Sequence, residues 1–147
     1  MPAKNEAANL KLLLPELKAL YAEAEIIVVN DGSTDETISI CKEHNVKIIT
    51  HQYSKGNGAS IKSGARAATH DVIVFMDGDG QHQPKDVARL LEKIEQGAEM
   101  VVGARGKESQ ASFARLIANS IYNKLSSWIS GQKIQDLTSG LRAVKKS

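Results

Sequence analysis

Val72-Ile73-Val74-Phe75-Met76, followed directly by Asp77-Gly78-Asp79-Gly80-Gln81-His82, is the stretch that decides the fold. Five apolar residues, most of them β-branched, read as a strand buried on both faces. The run stops at alternating acids and glycines, so polar side chains collect at the strand's carboxyl end. Three other runs share this form. Residues 26–29 stop at Asn30-Asp31-Gly32, residues 46–49 at a polar loop containing Lys55-Gly56-Asn57-Gly58, and residues 100–102 at Gly103-Ala104-Arg105.

Helical periods lie between these strands. Leu10, Leu13, Leu14, Leu17 and Leu20 recur at helical spacing over residues 6–21, and Pro15 is expected to kink or restart that helix. Ser33 and Glu36 fit a capping box for a helix reaching about residue 44. A small-residue helix is expected over residues 59–68, and Pro84 opens another with Val87, Leu90, Leu91 and Ile94 on its core face. Over residues 112–129, Phe113, Leu116, Ile117, Ile121, Leu125, Trp128 and Ile129 form one stripe. Such a stripe packs on a sheet or lies at an interface near a lipid. Strands alternating with helices mean βαβ units. The expectation is an α/β fold over residues 1–147, with a single mainly parallel, Rossmann-like sheet flanked by helices. Ligands of such sheets sit beyond the carboxyl ends of the strands.

Composition narrows the function classes. Of 147 residues, 41% are apolar and 24% charged, as in soluble globular domains. Nineteen basic against 17 acidic side chains give a net charge of +2, too small and too scattered for a nucleic-acid partner. The single cysteine, Cys41, cannot form an internal disulfide; it is expected as a packed core thiol in a reducing, cytoplasmic setting. No apolar run approaches the ~20 residues of a membrane span.

Asp77 and Asp79 are the first candidates for chemistry. Carboxylates at i and i+2 on a strand point to opposite sides, but the flanking glycines permit a bend that brings both to one cation. Hard oxygen ligands suit Mg²⁺ or Mn²⁺, and Gln81 can add a neutral oxygen. The competing reading is a polar turn that caps the following helix. His82 is expected to orient this loop, and His44, His51 and His70 to lie at the surface. Asn30 and Asp31 either hydrogen-bond a base edge or merely cap a strand–helix turn. Lys55-Gly56-Asn57-Gly58 is either a phosphate cradle or a tight loop into a close-packed helix. Arg105 either neutralises a phosphate or is a surface side chain.

Together these segments resemble family 2 glycosyltransferases of the GT-A fold, closest to the branch acting on dolichyl or other polyprenyl phosphates. Pro2-Ala3-Lys4-Asn5-Glu6 is similar to that family's P-A-x-N-E loop, and Val29-Asn30-Asp31-Gly32-Ser33-Thr34-Asp35 to its V-x-D-G-S-T-D segment. Asp77 to His82 resemble D-x-D-x-Q-H, and Asp136-Leu137-Thr138-Ser139-Gly140-Leu141-Arg142 resembles D-x-T-S-G-[FL]-R. The resemblance implies that Pro2, Ala3, Glu6, Asn30 and Asp31 line a nucleotide and that Asp77 bridges nucleotide and metal. Asp79 and Gln81 would complete the ligands of Mg²⁺ or Mn²⁺, and Arg105, with Arg115 and Arg142, would face phosphates. The implied reaction is inverting transfer of a hexose from a nucleoside-diphosphate sugar to a polyprenyl-phosphate lipid, at the cytoplasmic face of a membrane. Such an acceptor is already an oxyanion, so no strong general base is needed. A family member acting on a sugar hydroxyl, which needs one, is the alternative, as is a nucleotide-binding fragment inactive by itself. Asn30-Asp31 stands where many relatives carry Asp-Asp. The family's first strand precedes Pro2 and relatives continue past Arg142. The chain is therefore expected to be a partial GT-A domain, oligomeric, aggregation-prone or marginally folded when isolated.

Overall fold

The structure is a computed structural model that describes residues 1–103 and 139–146. The elements in chain order are β1 (Pro2–Ala3), α1 (Ala7–Leu20), β2 (Ile27–Asp31), α2 (Thr37–Glu43), β3 (Lys47–His51), α3 (Asn57–Ala67), β4 (Val72–Phe75), α4 (Asp86–Glu95), β5 (Met100–Val102) and β6 (Arg142–Lys145). The expected helix over residues 112–129 lies outside the described residues, as do Arg105 and Arg115.

β1, β2 and β3 form a parallel ladder with β2 in the middle. β2 runs on to Asp31, two residues past the expected end of the strand, because Asn30 and Asp31 pair with Thr50 and His51 of β3. Its five residues are all buried, and successive side chains alternate between faces. Val28 joins Leu10, Leu14, Ile40 and Cys41 in the main core. Val29 points the other way, where its Cγ2 would lie 3.3 Å from a Cβ placed on Gly64 of α3. Helices on both faces are what a parallel sheet needs to bury its strands.

The second ladder is antiparallel: β6 lies between β4 and β5, with Phe75 and Val102 both opposite Arg142. The strands are thus hydrogen-bonded as two three-stranded sheets, one parallel and one antiparallel, with β6 an added antiparallel strand that hydropathy does not reveal. α4 packs against β5 and β6. Val87, Leu90 and Ile94 are buried as expected, together with Leu141 and Ala143.

Several local expectations change. α1 is one continuous element through Pro15 and does not restart there. Leu20, on its last turn, is exposed rather than buried. Val72–Phe75 are half-buried, not buried. A cavity of about 450 Å³ beside them explains this: it runs from Met1 between Ile26–Ile27 and Val72–Phe75. The β1–β4 seam carries one backbone bond, Gly78 N to Pro2 O at 3.3 Å. Cys41 is fully buried, and burial pushes its thiol pKa up.

The Ser33–Glu36 capping box is replaced by a different device. Ser33 Oγ accepts from the Asn5 amide, and Thr34 N donates to Asn5 Oδ1. The Asp35 carboxylate takes the Thr37 amide and hydroxyl with one oxygen and the Ala7 amide with the other. One side chain thereby serves the first turns of both α1 and α2. Burial raises the Asp35 pKa, but these hydrogen bonds outweigh it and hold the carboxyl below its usual value.

A carboxyl with a lowered folded-state pKa adds stability above the unfolded value, which is lost as pH falls through the folded one. Asp35→Ala is expected to cost about 1–2 kcal/mol at pH 7, because it uncaps two helices. Thermal melts of variant and parent should converge as the pH drops below about 4; a constant gap would mean that the carboxylate is not the cause.

Candidate functional site at the carboxyl edge of the sheet

Parallel pairing brings the carboxyl ends of β1, β2 and β3, at Ala3, Asp31 and His51, to one edge of the sheet. The turn after β4 joins them because its Gly78 amide donates to Pro2 O. Gly78 must be small: a Cβ there would lie 3.1 Å from that oxygen and 3.5 Å from the Ala3 Cβ.

Asp77 and Asp79 are half-buried, Gln81 is exposed, and His82 is buried. Asp79 Oδ1 accepts the Gln81 amide at 3.0 Å, so the loop folds back at Gly80, whose φ of +74° suits glycine. Asn9 reaches the same loop, and Glu6 is joined to it through Asn9. The Glu6 carboxylate accepts from Asn9 Nδ2 at 2.6 Å, and Asn9 Oδ1 would lie 3.5 Å from a Cβ on Gly80.

Gly140 is the less expected neighbour. Asp77 Oδ2 lies so close to it that a Cβ at this position would overlap the carboxylate. The Ser139-Gly140 segment, 60 residues along the chain from Gly80, is thus the floor against which Asp77 rests. Arg142 is half-buried at the start of β6, and its Nε donates to Ser139 O at 2.8 Å. The sequence carried a signal for this contact in the Ser-Gly pair, but not the identity of the partner.

On the other side of the edge, Asn30 is buried and its Oδ1 accepts from the Ser33 amide at 3.0 Å. Asp31 is buried too. Its carboxylate accepts from His51 Nδ1, Ser54 Oγ and the amides of Lys55 and Gly56, at 2.8 to 2.9 Å. Burial pushes its pKa up, but these four bonds overcome that and hold it well below the carboxylate range. Two amides of the Lys55-Gly56 loop therefore point inward, as in a tight turn, and not outward as in an anion cradle. His51, expected at the surface, is 7% exposed and part of this cluster. Its position at the end of β3, opposite Asp31, was not legible without the register.

The fold and edge define an α/β protein of the GT-A kind, with an acidic Asp-x-Asp loop where such sheets take ligands. The chain belongs to Glycosyl transferase family 2, whose family model matches residues 1–147. It is 30% identical to a polyprenol monophosphomannose synthase of Mycolicibacterium smegmatis, over 99% of this chain and 60% of that protein. An undecaprenyl-phosphate mannosyltransferase of Micrococcus luteus is 31% identical, over 99% of this chain and 64% of its own length. The chain thus spans about three-fifths of these relatives. Among solved structures, glucosyl-3-phosphoglycerate synthase from Mycobacterium tuberculosis, in complex with Mn²⁺ and UDP-glucose, superposes with a TM-score of 0.77. That match is 23% identical and covers 98% of this chain and 54% of the other.

Gly140→Ala is expected to push the Asp77 carboxylate off its floor and to destabilise the fold by about 1–3 kcal/mol through overpacking. Chemical denaturation measures the cost. A variant as stable as the parent would mean that Asp77 has another place to go.

Proposed function

We propose that this chain carries the donor-binding and metal-binding part of an inverting transferase that moves a hexose from a nucleoside diphosphate to a polyprenyl phosphate. The observation that carries the proposal is the convergence on the Asp77–Gln81 loop of two segments distant in sequence, Pro2-Ala3 against Gly78 and Ser139-Gly140 against Asp77. The acceptor class draws on the relatives at about 30% identity, whose names specify polyprenyl or undecaprenyl phosphate.

The donor set fits Mg²⁺ or Mn²⁺. Asp77, Asp79 and Gln81 offer only oxygen, and among the described residues no group of three His, Cys, Asp or Glu side chains is gathered as a closed cage. A divalent cation held by these three residues would neutralise the diphosphate as it leaves. Pro2, Ala3, Glu6 and Asn30 wall the nucleotide, and Asp31 contributes through the turn it holds. Asp77 would serve both nucleotide and cation, and Asp79 and Arg105 would act at the transferring group. Arg115 and Arg142 would offset the charge of the phosphates of donor and acceptor. A phosphate acceptor is ionised at neutral pH, so the protein's work is to align it and to offset charge. Among the described residues no helix is long and apolar enough to cross a membrane. The lipid would be met by peripheral association at the cytoplasmic face.

Two measurements test this reading. Nucleoside diphosphate should bind more tightly with Mn²⁺ or Mg²⁺ than with chelator, and Asp79→Ala should remove most of the difference. Equal affinity with and without metal, by titration calorimetry, would sink the cation role. Incubation with nucleotide sugars and undecaprenyl phosphate in detergent should yield a glycosyl-phospholipid; product only on sugar hydroxyls would favour the other acceptor class.

Arg105→Ala is expected to lower turnover far more than it weakens nucleotide binding, by ~2–4 kcal/mol of transition-state stabilisation. Unchanged steady-state turnover would return Arg105 to the ordinary surface.

A further inference from the structure

The Asp31 cluster extends past the carboxylate. His51 Nδ1 lies 2.8 Å from Asp31 Oδ1, and its Nε2 lies 3.0 Å from Ser63 Oγ on α3. An ionised carboxylate only accepts, so Nδ1 is the donor in this pair. Each Asp31 oxygen then takes two partners: Oδ1 binds His51 and the Lys55 amide, Oδ2 binds the Ser54 hydroxyl and the Gly56 amide. No lone pair of ordinary geometry is left over. β2, β3 and α3 are therefore joined through one chain of side chains, buried at Asp31 and His51 and half-buried at Ser63, and its outer end is the backbone of residues 54–56.

Backbone shape reinforces the same turn. Gly56 has a φ of +87°, and Gly32 a φ of +73°. A Cβ on Gly32 would lie 2.9 Å from Ser54 N. On the outer side Tyr53 is 67% exposed, with the Lys55 ammonium 5.6 Å from its ring centroid. An aromatic face and a cation are thus presented at the rim next to Asn30 and Asp31, on a turn whose rigidity comes from beneath.

We infer that Ser63, His51 and Asp31 form a positioning relay that fixes residues 53–56 as one wall of the donor site, offering the Tyr53 ring and the Lys55 ammonium to a nucleoside diphosphate. This rests on the donor-site reading above. Ser63 and His51 touch no donor; they act through Asp31 and the turn. A ring face suits a base and an ammonium suits a phosphate or a base carbonyl, while the carboxylate itself is occupied.

The full-length chain with Mn²⁺ tests this, using UDP and GDP as probes in calorimetry and following amide exchange at Lys55 and Gly56. His51→Leu removes the ring donor; both amides should exchange at least about tenfold faster, and nucleotide affinity should fall about five- to tenfold with its metal dependence kept. His51→Asn should recover most of both, since its amide can donate to Asp31 from near the place of Nδ1. Ser54 is exposed, so Ser54→Ala tests the turn without touching the core; it should weaken binding by about two- to threefold. Unchanged protection at Lys55 and Gly56 in His51→Leu would overturn the relay. Faster exchange with unchanged affinity would overturn the turn's place in the donor wall. If the parent chain binds neither nucleotide, the donor reading itself fails, and the exchange data still decide whether the relay holds the turn.

Discussion

β2 is paired on both edges and covered on both faces, and the carboxyl edge of the molecule depends on that confinement. A strand with neighbours on each side has its register set twice, once against β1 and once against β3. A slip of one residue would turn Val28 from the main core toward α3 and carry Asp31 away from His51. The alternation of large apolar side chains therefore fixes where the polar residues at the strand's end must stand. Asn30 and Asp31 are buried because the ladder runs on through them, and buried polar groups must be paired. Their partners, Ser33, His51, Ser54 and the amides of Lys55 and Gly56, are the turns that shape the edge.

The two halves of that edge are built differently. Around Asp31 the turn is held by saturated hydrogen bonding, and the carboxylate is used up in holding it. Around Asp77 the geometry is set by close approach: glycines at 78 and 140 let backbone from β1 and from the start of β6 come within contact of the acidic loop. Among the described residues none donates a hydrogen bond to the Asp77 carboxylate, and such an acid is the better candidate for an external ligand. This contrast, more than acidity itself, separates the proposed role of Asp77 from that of Asp31. The Asp35 cap links the loop after β1 to the loop after β2, so the Glu6 side of the edge is tied to the same framework.

Much of this was legible in the residue order. Hydropathy marked β2, β4, β5 and α4 to within a residue or two, because strands inside a covered sheet leave continuous apolar runs, fully buried in β2 and partly in β4 and β5, and a buried helix face leaves a 3.6-residue period. The Asp77–Gln81 loop was readable for a related reason, since acids and glycines directly after an apolar strand have few structural uses. Less legible were features whose partners lie far along the chain. His51 is one polar residue at the end of a half-buried strand, and nothing local distinguishes it from His44 or His70. Asp35 looked like a member of a turn whose capping role belonged to Ser33, because cap geometry depends on where Ala7 and Thr37 point.

What the sequence by itself determined is the alternation of strands and helices, the membership in a glycosyltransferase family, and which carboxylates stand at strand ends. These follow from short-range patterns: apolar period, turn residues, and motifs a few residues long. Only the tertiary structure decided that β6 enters antiparallel between β4 and β5, that Gly140 rests against Asp77, and that Asp31 spends its four acceptor sites on its own turn. Each of these depends on a contact between segments at least 20 residues apart. A hydrogen bond or a van der Waals limit acts over a few ångströms of space, and chain order does not say which distant residues will be brought within that reach.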